Sequence, residues 1–535
     1  YYSALGYTDQ QGVIKGSGMS RVTTRLNLAY KIFKWMTISY RGSYSYQRQL
    51  PNRANIGGNN IYNGAIYLSP LIKPEDKWNP LYENGVNINT PVKTIEFNEN
   101  IVDRHTTFNT AIVELMPIKG MVITSHNTYM LYARKDYRFY PSYLPAKVEG
   151  EGAEAYRYEG DAYRFSSENT VSYKRKLSRG HNIDALLGFT VSNDQVNTLS
   201  INAKGLLVDA LKWNNMNGIS SKENYTASSG NTLVVRESVL ARCNYNYKSR
   251  YYLTFTGRYD GSSNFADNKK WGFFPSAAIA WDITREEFMQ RQTFLDQLKI
   301  RASYGISGND SISPYSTLGM LSETIYGWGT TTGYTGYWGN TFATPDLTWE
   351  KTTQYDVGLD ISFSGVDITL DWFRKDTEDL LFQKQVPGYN GGGTFWVNQG
   401  KLLNTGFELS VNAFPVKGAV VWETGFNAAY IHNEVVDLAG NEFLPQANYS
   451  DLGGALQMMK PGYPLGSFYV YRWYGFDEKG ANLYFTKDGG LTKSPSSDDL
   501  VIKGNASPKW TMGWNNTITW RRWTFNMLLN AALDY

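Results

Sequence analysis

The sequence predicts an all-β protein, a transmembrane antiparallel β-barrel, and three observations carry that prediction. Long segments alternate apolar and polar residues with a period of two, short and long connections take turns between them, and no run of apolar residues is long enough for a membrane-spanning helix. Successive side chains of a strand point to opposite faces, so such a segment has one greasy face and one wet face. The segments run to about 9 to 13 residues. Strands of soluble proteins usually have roughly 5 or 6, and a tilted strand crossing a bilayer needs about 9–11.

The alternation can be followed along the chain. In Arg21–Tyr30, Val22, Thr24, Leu26, Leu28 and Tyr30 oppose Arg21, Thr23, Arg25, Asn27 and Ala29. In Trp35–Tyr46 the even positions Met36, Ile38, Tyr40, Gly42, Tyr44 and Tyr46 oppose tryptophan, threonine, serines and Arg41. Tyr251, Leu253, Phe255, Gly257 and Tyr259 share one phase, as do Tyr355, Val357, Leu359, Ile361 and Phe363. Trp510, Met512, Trp514, Ile518 and Trp520 repeat the pattern near the end. Arg25, Arg41, Arg258 and Arg301 all fall in the polar phase. An arginine on the lipid side near the bilayer midplane would cost about 2–4 kcal/mol. Aromatic residues gather at segment ends, as in Tyr251-Tyr252, Trp281, Trp510, Trp520 and Trp523, where interfacial girdles belong.

Short links are expected at Lys31–Lys34, Met116–Gly120, Lys174–His181, Lys248–Arg250, Ser364-Gly365, Pro415–Gly418 and Arg521-Arg522. Long ones are expected at about 47–101, 134–160, 193–232, 307–350, 376–404 and 433–508, with 8–20 and 260–271 as shorter members of that class. Asp282–Gln297 reads as a charged, helix-prone link on the short side. The whole of 1–535 then forms one partial barrel domain of about 17 strands and 16 connections. Short periplasmic turns and long extracellular loops are the habit of outer-membrane barrels.

Composition narrows the function classes. Aromatics are abundant (16 Trp, 40 Tyr, 25 Phe), charged residues are only 19%, and the net charge is +3, with no basic run to favour nucleic acid. A mean hydropathy of −0.43 suits a soluble protein and equally a barrel, which is half polar by construction. One cysteine, Cys243, excludes an internal disulfide framework. The chain opens on Tyr1-Tyr2-Ser3-Ala4-Leu5-Gly6-Tyr7 without a signal peptide, and an odd strand count would leave unpaired edges, so a piece of a larger barrel is expected.

Several stretches resemble the SusC/RagA-type TonB-dependent outer-membrane transporters. They include G-Y-T-D-Q-Q-G-V-I-K-G near the start, Gly257-Arg258-Tyr259-Asp260-Gly261-Ser262-Ser263, and Ile300–Gly305 with Gly308-Asn309. Pro345–Gln354, Asn404–Leu409, Gly462–Tyr469 and Pro508-Lys509-Trp510 continue the resemblance in family order over nearly all of the chain. It implies a 22-stranded barrel around a plug, in the bacterial outer membrane, working with a SusD-like surface lipoprotein. It also implies import of oligosaccharides, or in some members peptides, driven through the TonB complex, with two transporter–lipoprotein pairs forming a dimer. The plug, the TonB box and the remaining strands are not recognised in this sequence.

No catalytic motif is found, and no enzyme activity, cofactor or metal is expected. The most suggestive stretch for recognition is Tyr326–Phe342, where Tyr326, Trp328, Tyr334, Tyr337 and Trp338 could stack on sugar rings or meet the lipoprotein, or simply pack on the barrel. Tyr389, Phe395 and Trp396 form a similar group. The glycine clusters Gly16-Ser17-Gly18 and Gly391-Gly392-Gly393 read as loop glycines. Asp477–Gly480, Asp488-Gly489-Gly490 and Asp498-Asp499 read as solvated turns, with calcium as the alternative. Four functions compete: an energised importer, the preferred reading; a passive porin, which 16–18 strands would suit; a soluble glycan-binding β-protein; and a surface hydrolase.

Overall fold

The computed structural model of the chain describes residues 1–51, 73, 95, 97–143, 152–219, 224–327, 333–390, 392–449 and 454–535. Strands dominate, and in chain order they are β1 (Tyr2–Gln11), β2 (Gly18–Phe33), β3 (Met36–Leu50), β4 (Glu99–Leu115), β5 (Met121–Tyr140), β6 (Ala153–Lys176), β7 (His181–Leu206), β8 (Tyr225–Tyr247), β9 (Tyr251–Ser262), β10 (Trp271–Asp282) and β11 (Gln297–Asn309). They continue with β12 (Met320–Gly327), β13 (Gly333–Thr341), β14 (Glu350–Phe363), β15 (Val366–Glu378), β16 (Leu381–Gln385), β17 (Thr394–Asn398), β18 (Lys401–Lys417) and β19 (Val420–Asp437). The last are β20 (Leu444–Tyr449), β21 (Gly454–Met459), β22 (Ser467–Tyr471), β23 (Trp473–Phe476), β24 (Asn482–Phe485), β25 (Leu491–Thr492), β26 (Leu500–Asn505), β27 (Trp510–Trp520) and β28 (Trp523–Leu533). No described helix is long and apolar enough to cross a membrane.

Seventeen of these strands, β1–β11, β14, β15, β18, β19, β27 and β28, have ten residues or more, the number that the alternation predicts. The chain divides into two compact units, Tyr1–Val171 with Gly188–Glu237, and Ser172–Leu187 with Ser238–Tyr535. In the first, β1 to β5 pair antiparallel in chain order. In the second, β9, β10, β11, β14, β15, β18, β19, β27 and β28 do the same.

The registers keep like phases together. In the first unit Arg25 lies opposite Ser43 and Asn27 opposite Arg41, while Leu28 faces Tyr40 and Tyr30 faces Ile38. In the second unit Ile300 lies opposite Leu359, Leu359 opposite Leu370 and Leu370 opposite Leu409. Trp510, Trp514, Ile518 and Trp520 face Leu533, Leu529, Phe525 and Trp523. A slip of one residue would move every one of these side chains to the other face. The apolar phase is also the open one: Phe255, Ile279, Ile300, Val357, Leu370, Phe407 and Trp514 are all exposed. An exposed apolar face of this extent fits lipid better than water.

Most short connections fall where the sequence places them, but β2 continues through Lys31–Phe33 and β18 through Pro415–Lys417, which moves those turns to Lys34-Trp35 and Gly418-Ala419. Ser364 and Gly365 form a two-residue hairpin turn with φ of 48° and 80°, and Lys248 and Ser249 sit at 52° and 56°. Positive φ at both central residues matches the twist of the flanking strands.

The strands themselves are longer than expected. β5, β6, β7 and β8 have 20, 24, 26 and 23 residues, so the expected loops 134–160 and 193–232 shrink to the segments after Tyr140 and after Leu206. The reason is physical: a strand can continue beyond the height at which one face must be apolar, and there the alternation signal ends although the strand does not. The expected loops 307–350, 376–404 and 433–508 likewise carry small sheets of their own, β12-β13-β17-β16, β20-β21-β22-β26 and β23-β24-β25. Most of the expected loop 47–101 lies outside the described residues.

Candidate functional site

Two places in the second unit bear on function: the polar face of its large sheet, and the small sheet β12-β13-β17-β16.

On the polar face, Arg301 of β11 reaches across β14. Its Nε and Nη2 donate to the two carboxylate oxygens of Asp360 at 3.0 and 3.1 Å, and Nη2 also lies 2.8 Å from Asp371 Oδ1 on β15. Gly358 stands opposite both Arg301 and Asp371 in the ladders. A Cβ built on Gly358 would fall 2.3 Å from Asp371 Oδ1 and 2.5 Å from Arg301 Cζ, so only glycine leaves room for the pair. A planar guanidinium offers fixed donors that match two carboxylates at once. Beyond Asp371 the same face opens into a recess of about 470 Å³ whose lining includes Thr369, Glu408, Ser410, Asn427 and Asn530. The wall is therefore hydrogen-bonding and charged where the opposite phase is hydrocarbon. The sequence placed Arg301 in the polar phase but gave no sign of its partners, which come from two strands about 60 and 70 residues later.

The small sheet brings together the two aromatic groups that the sequence singles out. β13 pairs antiparallel with β12 and, through Thr341 opposite Thr394, parallel with β17, which pairs with β16. Phe342 N–H donates to Thr394 O at 3.0 Å. Close approach needs glycine here as well: a Cβ on Gly393, at φ 91°, would sit 2.7 Å from Gly339 O. Tyr334, Tyr337 and Tyr389 are 57%, 62% and 88% exposed, and Trp338 is also exposed. Tyr334 and Trp338 share one face of β13 and Tyr337 takes the other, its hydroxyl 3.4 Å from Glu323 Oε1.

Trp396 behaves differently. It packs against the buried cluster Phe265, Phe274, Ile312, Leu347 and Trp349. It ties β17 to that cluster, whereas Tyr389 in the turn Gly388–Asn390 stands in solvent. Tyr326 pairs through its backbone with Tyr334. The side chain of Tyr326 and the whole of Trp328 lie outside the described residues.

The acidic turns of the long loop are capped by their own chain. Asp477 accepts from Lys493 Nζ and from the amides of Lys479 and Ala481. Asp499 accepts from the amides of Lys487 and Ser496 at 2.8 Å each. The Lys493 ammonium holds the Asp477 carboxyl below its usual range, and the donated amides do the same for Asp499. Among the described residues no group of three or more His, Cys, Asp or Glu side chains is arranged to hold a metal.

A sheet with one hydrocarbon face, one charged face and elaborated connections at one end defines a membrane-barrel wall. A family profile described as "TonB dependent receptor-like, beta-barrel" matches residues 118–535. The chain belongs to that family, in its SusC/RagA-type branch, and its place is the bacterial outer membrane. It is 29% identical to TonB-dependent receptor P26 of Formosa agariphila over 99% of this chain and 55% of that protein. It is 28% identical to TonB-dependent receptor SusC of Bacteroides thetaiotaomicron over 100% of this chain and 56% of that one. The chain thus spans about half the length of the curated relatives it matches. Among solved structures the RagAB peptide transporter shares the fold, with a TM-score of 0.85, 21% identity, and coverage of 99% of this chain and 59% of that one.

Proposed function

We propose that the protein imports oligosaccharides, or peptides, across the outer membrane, with this chain as the wall of the passage. TonB supplies the energy through a region outside this chain. A SusD-like surface lipoprotein acts as the lid, and two such pairs associate as a dimer. Kinship to SusC and the shared fold with a peptide transporter support import. The observation that carries the lid and substrate role is the small sheet, which holds Tyr334, Tyr337, Trp338 and Tyr389 in solvent. Aromatic faces stack on the C–H surface of sugar rings and anchor protein contacts equally well.

The test is an in-frame deletion of Tyr326–Phe342 in the full-length protein. Loss of lid co-purification, or of ligand retention, with the barrel still folded supports the reading. Unchanged co-purification together with unchanged uptake rejects it. Uptake that persists without TonB would instead support a passive channel.

A further inference from the structure

The link between β10 and β11 is built onto the lipid side of the wall, and we propose that it is an interfacial strap that lies in the inner phospholipid leaflet. It begins and ends at the rim of short turns. Asp282 N–H donates to Arg250 O at 2.7 Å beside the turn at Lys248-Ser249, and Asp296 N–H donates to Ser362 O at 2.7 Å beside the turn at Ser364-Gly365. Short turns mark the periplasmic end of an outer-membrane barrel.

Two attachments fix which side of the wall the strap occupies. Glu286, 8% exposed, accepts from Tyr251 OH at 2.5 Å and from Trp281 Nε1 at 3.0 Å, with Arg250 Nη1 at 3.2 Å. Tyr251 lies opposite Trp281, and Trp281 opposite Ile300, so both donors belong to the apolar phase. Further along, Phe294 stacks on Phe363, centroids 5.1 Å apart at 23°, and Phe363 follows Leu359 and Ile361 in that same phase. The strap therefore runs outside the wall and not beneath its lumen. Tyr247, Tyr251 and Trp281 stack in succession at 6.4 Å above it, an aromatic belt of the kind found at membrane interfaces.

Between the two attachments is a short 3-10 turn, Glu287–Met289, whose Phe288 is 69% exposed, and Phe294 is exposed too. Large apolar side chains held on the membrane side of a barrel, continuous with its lipid face, have acyl chains as their natural solvent. The occupant is thus a phospholipid surface. Its headgroup charge should matter little, because Arg285 and Arg291 are matched along the strap by Asp282, Glu287 and Asp296.

The experiment places a nitroxide on the full-length protein carrying Cys243→Ser and Phe288→Cys, reconstituted in phosphatidylcholine vesicles. Collision with oxygen reports lipid and collision with a nickel chelate reports water. Phe255→Cys serves as a bilayer reference and Glu478→Cys as a water reference. The strap predicts an oxygen-to-nickel ratio at position 288 at least about threefold above that at 478, and unchanged when anionic lipid is added. Adding Glu286→Ala should shift position 288 toward water by releasing the hook. A ratio at 288 equal to that at 478 overturns the proposal, and so does a site closed to both reagents, which would mean a protein partner. A water-like ratio at Phe255 would defeat the membrane wall itself, an outcome distinct from failure of the strap.

Discussion

Trp422 Nε1 donates to Asn516 Oδ1 at 3.0 Å, across β19 and β27 in the apolar phase. Asn516 is 3% exposed and interrupts a row that otherwise reads Trp510, Met512, Trp514, Ile518 and Trp520. The indole answers the one strongly polar group in that row. Beside it Trp514 Nε1 donates to Thr424 Oγ1 at 2.9 Å, so the aromatic residues also quiet polar neighbours. Trp422→Phe should leave the buried amide oxygen unpaired and cost about 1–3 kcal/mol. Asn516→Leu should be near neutral, and the double variant should recover most of the loss. Urea unfolding in vesicles measures all three, and equal penalties for the single and double variants would contradict the account.

Arg301 holds Asp360 and Asp371 on the opposite phase, and Gly358 makes the space. Gly358→Ala should force the guanidinium off its carboxylates at a cost of about 1–3 kcal/mol. Arg301→Met should cost a similar amount by leaving two carboxylates facing one another, whereas Arg301→Met with Asp371→Asn should cost less. The fraction that runs as folded, heat-modifiable barrel on a gel is the readout.

Within the small sheet, outward and inward aromatics should separate by phenotype. Joint replacement of Tyr334, Tyr337 and Trp338 by alanine should weaken lid or ligand binding while thermal stability stays unchanged. Trp396→Ala should instead cost about 2–3 kcal/mol, less than a fully buried tryptophan, by uncovering part of the cluster it packs against. Binding assays paired with local hydrogen exchange distinguish the two.

The capped turns should answer to acid. Asp477 and Asp499 have depressed folded-state pKa values. Their contribution is fully present above the unfolded carboxyl value of about 3.9 and is lost as pH falls through the lower folded values. Exchange protection of Phe476–Leu500, corrected for intrinsic rates, should hold at pH 5 and drop below about pH 4. Asp499→Asn should show the low-pH behaviour at neutral pH.

The wall was legible in the sequence because a lipid boundary imposes a period of two that survives averaging over ten residues. Strand ends were not, since β6 and β7, at 24 and 26 residues, continue well past the length that a bilayer requires. The stretch Gly333–Thr341 lacks clean alternation because glycines occupy Gly333, Gly336 and Gly339, and its partner Thr394 is over fifty residues away. Tyr389 and Trp396 look alike in sequence. Only packing shows that one faces solvent and the other the cluster around Phe265 and Trp349. Glu286 looked like one charge among many in a charged link, because the donors that define it sit on β9 and at the end of β10.

Each strand of the wall is divided into a lipid phase and a water phase. Reconstitution with phospholipid carrying a photoactivatable diazirine on its acyl chain, followed by mass mapping of insertion along β14, tests this division most directly. Insertion is expected at Tyr355, Val357, Leu359 and Ile361 and at none of Asp356, Gly358 and Asp360. Insertion into both phases, or into neither, would contradict it.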